Sequence, residues 1–557
     1  MIQVAKIIGT GLATTGFIGA VVWTGVEFGA LILGVARNLS LREQLFNYVV
    51  LVGFAFSEAT GLFALMLPFP LAKLKDLLNS NNHIIEWVYC SPPKPHAFVS
   101  LSIQSSIFSH LGEDIDNPLP VLVGGKGNYL YCKDGRKIFD ASGGAAVSCL
   151  GHGNIRIAKQ IYEVEKRGLP YGSSTFWSSE IAEALSRDLI ISTNGVMSKV
   201  YLTGSGSEAT EAALKLARLY FFYLGNKNTS RVHFIFRDRS YHGNTLGGLS
   251  VSGFSARKDP YYPLLIKHVH EISSCYSYRQ LRDNESNSDF VLRKVAEFEC
   301  KIQELGPETV IAFIAEPVVG AALGCVPAVP GYFKAMKSIC DKYGILFIAD
   351  EVMCGMGRTG SLHAWQLEEG FTPDIQTMGK GLGAGYQPIG AVLISPRIVD
   401  VLKNTGPFVH GQTYEGMPVQ ATAAFEVLNI IKEKNLLVMV QKKGLYLLKR
   451  SLAVFGDHPN VGNIRGRGLF VGIEIVMDKT TKQPFDYRYK IAPMIQKLAF
   501  ADPYNMTIYQ ATGTVDGKYG DHIMISPSFL VTYKDIDHIV DVLSMVIKKT
   551  FENIDTK

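Results

Sequence analysis

The stretch from residue 345 to residue 390, ILFIADEVMCGMGRTGSLHAWQLEEGFTPDIQTMGKGLGAGYQPIG, opens on the apolar run Ile345-Leu346-Phe347-Ile348-Ala349. The run is the length of a buried strand, and Asp350 and Glu351 end it abruptly. A buried strand that delivers a carboxylate at its C-terminal end fits a parallel α/β sheet, whose ligands sit off those ends. Further on, Lys380 stands between Gly379 and Gly381, where the glycines leave room around the amine and permit tight turns. Taken singly, an acid after an apolar run is a cap or turn, and Gly-Lys-Gly is a surface loop. Other segments decide between these readings.

Lys199-Val200-Tyr201-Leu202-Thr203 reads as a strand, Gly204-Ser205-Gly206-Ser207-Glu208 as a turn, and the alanine-rich run from Ala209 to Arg218 as a helix. Unpaired N–H groups at a helix start bind phosphate; glycine lets the phosphate approach, and Ser205 and Ser207 add hydroxyl donors. No Gly-Lys-Ser/Thr follows, so this is not a nucleoside triphosphate loop. Phe234-Ile235-Phe236 leads into Tyr241-His242-Gly243, and Val310 to Ala315 is a second buried strand ending in an acid, Glu316. His410-Gly411-Gln412-Thr413 offers a hydroxyl beside a glycine, and Phe176-Trp177 offers apolar walls for a substrate. An acid at one strand end and a lysine in a glycine pocket are the two fixed points of a pyridoxal phosphate (PLP) site. There the lysine forms the Schiff base and the acid keeps the ring nitrogen protonated. Tyr241 supplies a flat partner for such a ring.

The chain has 557 residues, enough for more than one domain. A formal charge of +5 with no basic run gives no reason to expect nucleic acid as a partner. The 8 cysteines are scattered, without CxxC or Cys/His clusters, which argues against a zinc site and a disulfide framework. At the N-terminus, Val4 to Ala36 and Leu45 to Leu67 are each long and apolar enough to cross a bilayer. Glu58 lies in the second run, and an acid inside a span marks function. Residues 1–73 therefore read as a transmembrane hairpin and 74–104 as a linker with turn signals at Asn79-Ser80-Asn81-Asn82 and Ser91-Pro92-Pro93.

Gly34-Val35-Ala36-Arg37-Asn38 with the segment around Glu58 resembles subunit c of the mitochondrial F-type ATP synthase over about residues 1–67. That resemblance implies a membrane location, a mitochondrial one if the address is kept, with Glu58 as the proton-binding group. Val21 and Trp23 stand where that family packs glycines, so the hairpin reads as an anchor derived from subunit c rather than a working rotor part. A fusion of two neighbouring reading frames fits the same change of character, and without the hairpin the expected location is cytoplasmic.

Residues from about 105 to 552 resemble the class III (ω-type) aminotransferases. The motifs, in order, are Ser205-Gly206-Ser207-Glu208-Ala209, Tyr241-His242-Gly243, Glu316-Pro317, Asp350-Glu351-Val352, Gly357-Arg358-Thr359-Gly360 and Lys380-Gly381. The resemblance implies an α/β fold of the PLP aspartate-aminotransferase type. A large domain at about 165–425 would hold a mixed, mostly parallel sheet, and the flanking segments a smaller α+β domain. It implies Lys380 as Schiff-base lysine, Asp350 as partner of the ring nitrogen, Val352 and Tyr241 on the two ring faces, and Gly206 and Ser207 on the phosphate. His242 and Glu316 belong near the cofactor. Thr413 would reach the phosphate of the neighbouring subunit in a homodimer. The activity implied is ping-pong transfer of an amino group to a 2-oxo acid; an aminomutase or decarboxylase on the same fold is the nearest alternative, and a proton-conducting membrane subunit with a fused cargo the remote one. Two departures bear on substrate: Gln412 replaces a histidine, and Met524 stands where many members carry a substrate-binding arginine.

Overall fold

Three of the apolar runs become strands buried along their whole length: Val310–Ala315, Leu346–Asp350 and Gly390–Ile394. A strand without a polar face needs cover on both sides, and all three lie inside a seven-stranded sheet. Its strands run in the order Lys199–Thr203, Gly390–Ile394, Ile375–Met378, Leu346–Asp350, Val310–Ala315, His233–Arg237 and Val269–Ile272. Gly390–Ile394 is antiparallel to both neighbours, and every other pairing is parallel. The expected mixed, mostly parallel sheet is therefore present. These coordinates come from a computed structural model that describes residues 119–225, 230–552 and 554. The hairpin over 1–73, Glu58 and the linker over 74–104 lie outside the described residues. Among the described residues no helix is long and apolar enough to cross a membrane.

Alternation along the strands sends side chains to opposite faces. Ala312, Ile314, Leu346 and Ile348 pack with Ala209, Ala213, Leu216 and Ala217 of the helix Gly206–Leu224. Small alanines let this helix lie close on the sheet. On the other face Phe313 and Phe347 meet Phe298 and Phe333 of helices Asn287–Leu305 and Tyr332–Lys342. The Phe347 ring lies 5.1 Å from Phe313 and 4.7 Å from Phe371. This packing fixes the height of the strand that carries Asp350.

Two four-stranded sheets draw on the segments flanking the large one. The first contains Leu122–Lys126, Tyr129–Cys132, Lys137–Asp140 and Met506–Thr507; the second contains Val461–Gly466, Val471–Ile475, Asp521–Ile525 and Tyr509–Thr512. Gly124 and Gly125 lie inside the first strand. A Cβ on Gly125 would sit 2.8 Å from His152 Cβ, so close approach explains that glycine. Arg358 ties the parts together. Its buried guanidinium donates to the carbonyls of Leu469, Pro527 and Ala146.

Candidate active site

Five parallel strands deliver side chains to one edge. Thr203 leads to Ser205-Gly206-Ser207, Arg237 to Tyr241 and His242, Ala315 to Glu316, while Leu346–Asp350 ends on its own carboxylate and Met378 leads to Lys380. They meet around a cavity of about 210 Å³ whose walls include Gly206, Ser207, Tyr241, Asp350, Val352 and Lys380. The crevice lies off the C-terminal strand ends, as parallel sheets require.

Asp350 is held on three sides. Its Oδ1 accepts from the Val352 N–H at 3.0 Å and the Thr377 hydroxyl at 3.1 Å, and its Oδ2 lies 2.7 Å from His242 Nδ1. Burial alone would raise its pKa; the hydrogen bond and charge of His242, the Val352 N–H and the charge of Lys380 outweigh that and hold it below the usual carboxylate range. An anion is thus kept inside the protein. Burial pushes Lys380 the other way, below an ordinary lysine, against the pull of Asp350 and Glu316. Lys380 also takes a left-handed backbone, φ +43°, which costs a non-glycine residue roughly 1–3 kcal/mol and is overdetermined by its surroundings. Glu316 is buried and accepts from the Tyr241 N–H at 3.1 Å and the Gly320 N–H at 2.9 Å. Burial and the nearby Asp350 raise its pKa.

The opposite end is a helix start. Ser205 caps the helix Gly206–Leu224 by accepting from the Glu208 N–H at 3.2 Å, which leaves the N–H groups of Gly206 and Ser207 at the first turn. A Cβ on Gly206 would meet Val352 Cγ1 at 2.5 Å, so Val352 and this backbone are already in contact. Gly243, at φ +126°, packs its Cα against Ser207, where a Cβ would lie 3.1 Å from Ser207 Cα. These residues fit PLP. Phosphate donors, a buried anion and a buried amine line one cavity; Val352 and Tyr241 flank it; and among the described residues the buried Nε2 of His242 has no protein partner.

Phe176 and Trp177 are not brought to this cavity within the chain. They are 76% and 72% exposed, and Trp177 lines a separate cleft with Ser174, Tyr201 and Glu415. The loop that carries them is tethered by Ser174 and Tyr201 donating to Glu415. Thr413 is likewise exposed and outside the cavity, two residues from Glu415. Thr377, Ala321 and Met353 belong to the site without having been expected there. Thr377 carried a signal, since it lies three residues before Lys380. Glu351 turns away from the cavity. Its carboxylate accepts from the N–H groups of Ala364 at 2.7 Å and Trp365 at 2.6 Å, and burial pushes it up to about 8.

Comparison with known proteins identifies the family. Residues 112–547 match the family model described as aminotransferase class-III. An uncharacterized aminotransferase of Schizosaccharomyces pombe is 43% identical over 432 residues, 77% of this chain and 93% of its own length. The diaminobutyrate–2-oxoglutarate transaminase of Halomonas elongata is 34% identical over 76% of this chain and 89% of its own. Among solved structures, the omega transaminase from Pseudomonas jessenii in complex with PMP superposes with a TM-score of 0.73 at 31% identity, covering 81% of this chain and 97% of its own.

Proposed function

The chain belongs to the class III aminotransferases, and from that premise we propose how its side chains carry amino-group transfer between an amine and a 2-oxo acid. PLP, when bound, supplies the electron sink for the reacting carbon. Everything else falls to the protein. Lys380 tethers the cofactor through its Nζ. That Nζ would also be the group that takes a proton from the substrate carbon and gives it back. Burial, which lowers its pKa, favours the neutral amine that both tasks need. Asp350 keeps its charge, with His242 and Thr377 fixing its two oxygens, and would pair with the ring nitrogen. Val352 and Tyr241, which line the cavity, would hold the ring. The Gly206 and Ser207 N–H groups bind the phosphate, aided by the hydroxyls of Ser205 and Ser207. Glu316 keeps the Tyr241 backbone in place beside the ring.

The observation that supports this most is the convergence of Lys380, Asp350 and the Gly206 helix start on one cavity. A coupled assay of amino transfer to pyruvate or 2-oxoglutarate tests it. The Lys380→Ala protein should have lost transfer entirely; transfer at the wild-type rate would sink the assignment.

We read the protein as a homodimer. Tyr171, Phe176, Trp177, Val409 and Tyr414 are large, apolar and exposed, and Tyr171 and Tyr414 touch edge to face at 6.2 Å, which supports an apolar contact surface here. In that dimer Thr413 serves the neighbour's phosphate. Residues 1–73 are read as a membrane anchor derived from a c-type subunit, on the strength of two apolar runs of spanning length. Alkaline carbonate should leave the full chain in the membrane pellet; release to the supernatant refutes the anchor. Labelling of Glu58 by dicyclohexylcarbodiimide is the separate test of its proton-binding role.

A further inference from the structure

Every 2-oxo acid brings a carboxylate into the Lys380 cavity, and the walls described so far offer it little. Asp350 and Glu316 are acids. The side toward the Asp521–Ile525 strand is apolar, because Met524 is buried with Ala321, Met353, Phe470 and Tyr509. An arginine is therefore needed from another element.

The arginines around the cavity are mostly committed. Arg237 donates to the Glu316 carbonyl, Arg239 pairs with Asp238 and the carbonyls of Thr514 and Val515, and Arg358 is held by carbonyls of Leu469 and Pro527. Arg465 pairs with Glu474 at 2.7 Å. Arg257 differs. It lies in the short helix Ser255–Lys258, which follows the Tyr241 loop, and its guanidinium carbon is 5.3 Å from the Tyr241 ring centre and 5.6 Å from that of Phe254. Among the described residues it forms no ion pair with a carboxylate, and it is half-buried. Its neighbour Lys258 anchors the helix by donating to the carbonyls of Ser250 at 2.9 Å and Ser252 at 3.0 Å. Against the same turn lies the 513–520 loop: a Cβ on Gly517 would sit 1.9 Å from Ser255 Oγ. The arginine is thus carried on a braced turn, above a ring that lines the cavity. Its positive charge is felt at Lys380.

We propose that Arg257 receives the carboxylate of the 2-oxo acid, and of carboxylated amino donors, and so sets a preference for amino acids over uncharged amines. This rests on the aminotransferase reading of the Lys380 cavity. Arg257 hydrogen-bonds the Tyr241 hydroxyl, and the remaining N–H groups of its planar fork are what a carboxylate would meet. Met524 and Met353 would then pack against the apolar part of the substrate rather than its charge.

The test uses the full chain loaded with pyridoxamine phosphate and follows the return of visible absorbance on adding pyruvate, 2-oxoglutarate or butanal, an acceptor with no carboxylate. In Arg257→Ala the second-order rate constant for the two acids should fall roughly 10- to 100-fold, the range of a lost charged hydrogen bond, while that for butanal changes less than about threefold. Arg257→Lys should recover part of the loss, as a point charge without the fork. An equal fall for acids and butanal, or no fall for the acids, overturns the proposal. Wild-type protein that reacts with none of the three would instead remove the aminotransferase reading beneath it. The visible spectrum of PLP-loaded Arg257→Ala should match wild type, which separates lost substrate binding from a damaged cofactor site.

Discussion

Gly206→Ala is the smallest change that should loosen the cofactor, and its cost follows from three distances. The new Cβ would lie 2.5 Å from Val352 Cγ1 and 3.0 Å from Cγ2. Carbon atoms pack at about 3.5–4.0 Å, so Val352 must move by about 1 Å. It has little room behind it: a Cβ on Gly379 would meet the same Cγ1 at 3.3 Å, which shows that this backbone already closes the other side. The open direction is the slot between Val352 and Tyr241. In protein without cofactor that slot is free and the valine swings into it cheaply. With PLP present the two compete, and overpacking of this size costs about 1–3 kcal/mol. At 1.4 kcal/mol per tenfold, PLP affinity should fall about 10- to 100-fold. Titrating cofactor-free protein with PLP and following visible absorbance measures this. Thermal melts of the cofactor-free protein should shift little. In a Val352→Ala background the same substitution should cost less than about threefold, because the clashing methyls are gone. A Gly206→Ala protein that binds within twofold of wild type, or a penalty that persists when Val352 is alanine, would show that the valine does not border the cofactor.

Asp350→Asn removes the buried anion while keeping its shape. Removing one preorganised electrostatic partner at a reacting site costs about 10²- to 10³-fold in kcat, so steady-state kcat should drop a hundredfold or more, and unchanged kcat would refute the role of this carboxylate. Phe347→Ala empties the aromatic layer beneath the Asp350 strand and should cost about 3–5 kcal/mol of stability; urea unfolding reads this, and a loss under about 1 kcal/mol would contradict the packing. Stability should also fall in acid. Burial lowers His363 to about 4, and His522, also through burial, to about 3. Because the unfolded chain takes up these protons first, the contribution is complete above about pH 6.5 and is lost as pH falls toward the folded values, at up to about 1.4 kcal/mol per pH unit for each group. His363→Gln should remove about half of this slope between pH 6.5 and 5, and a slope identical to wild type would rule the histidine out as a source.

The fold was legible where hydrophobic runs were long enough to be strands without a polar face. Leu346–Asp350 and Val310–Ala315 showed themselves that way, and their terminal acids pointed to the edge that holds the cavity. Adjacent acids were harder. Asp350 and Glu351 look alike in sequence, yet the strand exit sends one into the cavity and the other onto the Ala364 and Trp365 N–H groups. His242 read as a neighbour of the cofactor, but its hold on Asp350 joins residues 108 positions apart and no local pattern carries it. Glycine marks turns and also close contacts, and for Gly125 only His152, brought near by the fold, shows which applies. Phe176 and Trp177 are apolar and near a glycine, a composition that a pocket wall and an exposed interface share. Arg257 sits in a short polar turn with no motif around it, and its meaning comes from the Tyr241 ring beneath it.

The most direct measurement is peptide mass spectrometry of the protein incubated with PLP and reduced with borohydride. The site described here predicts one phosphopyridoxyl adduct, carried by the peptide containing Lys380 and absent from Lys380→Ala. An adduct on a different lysine, or none at all, would contradict it.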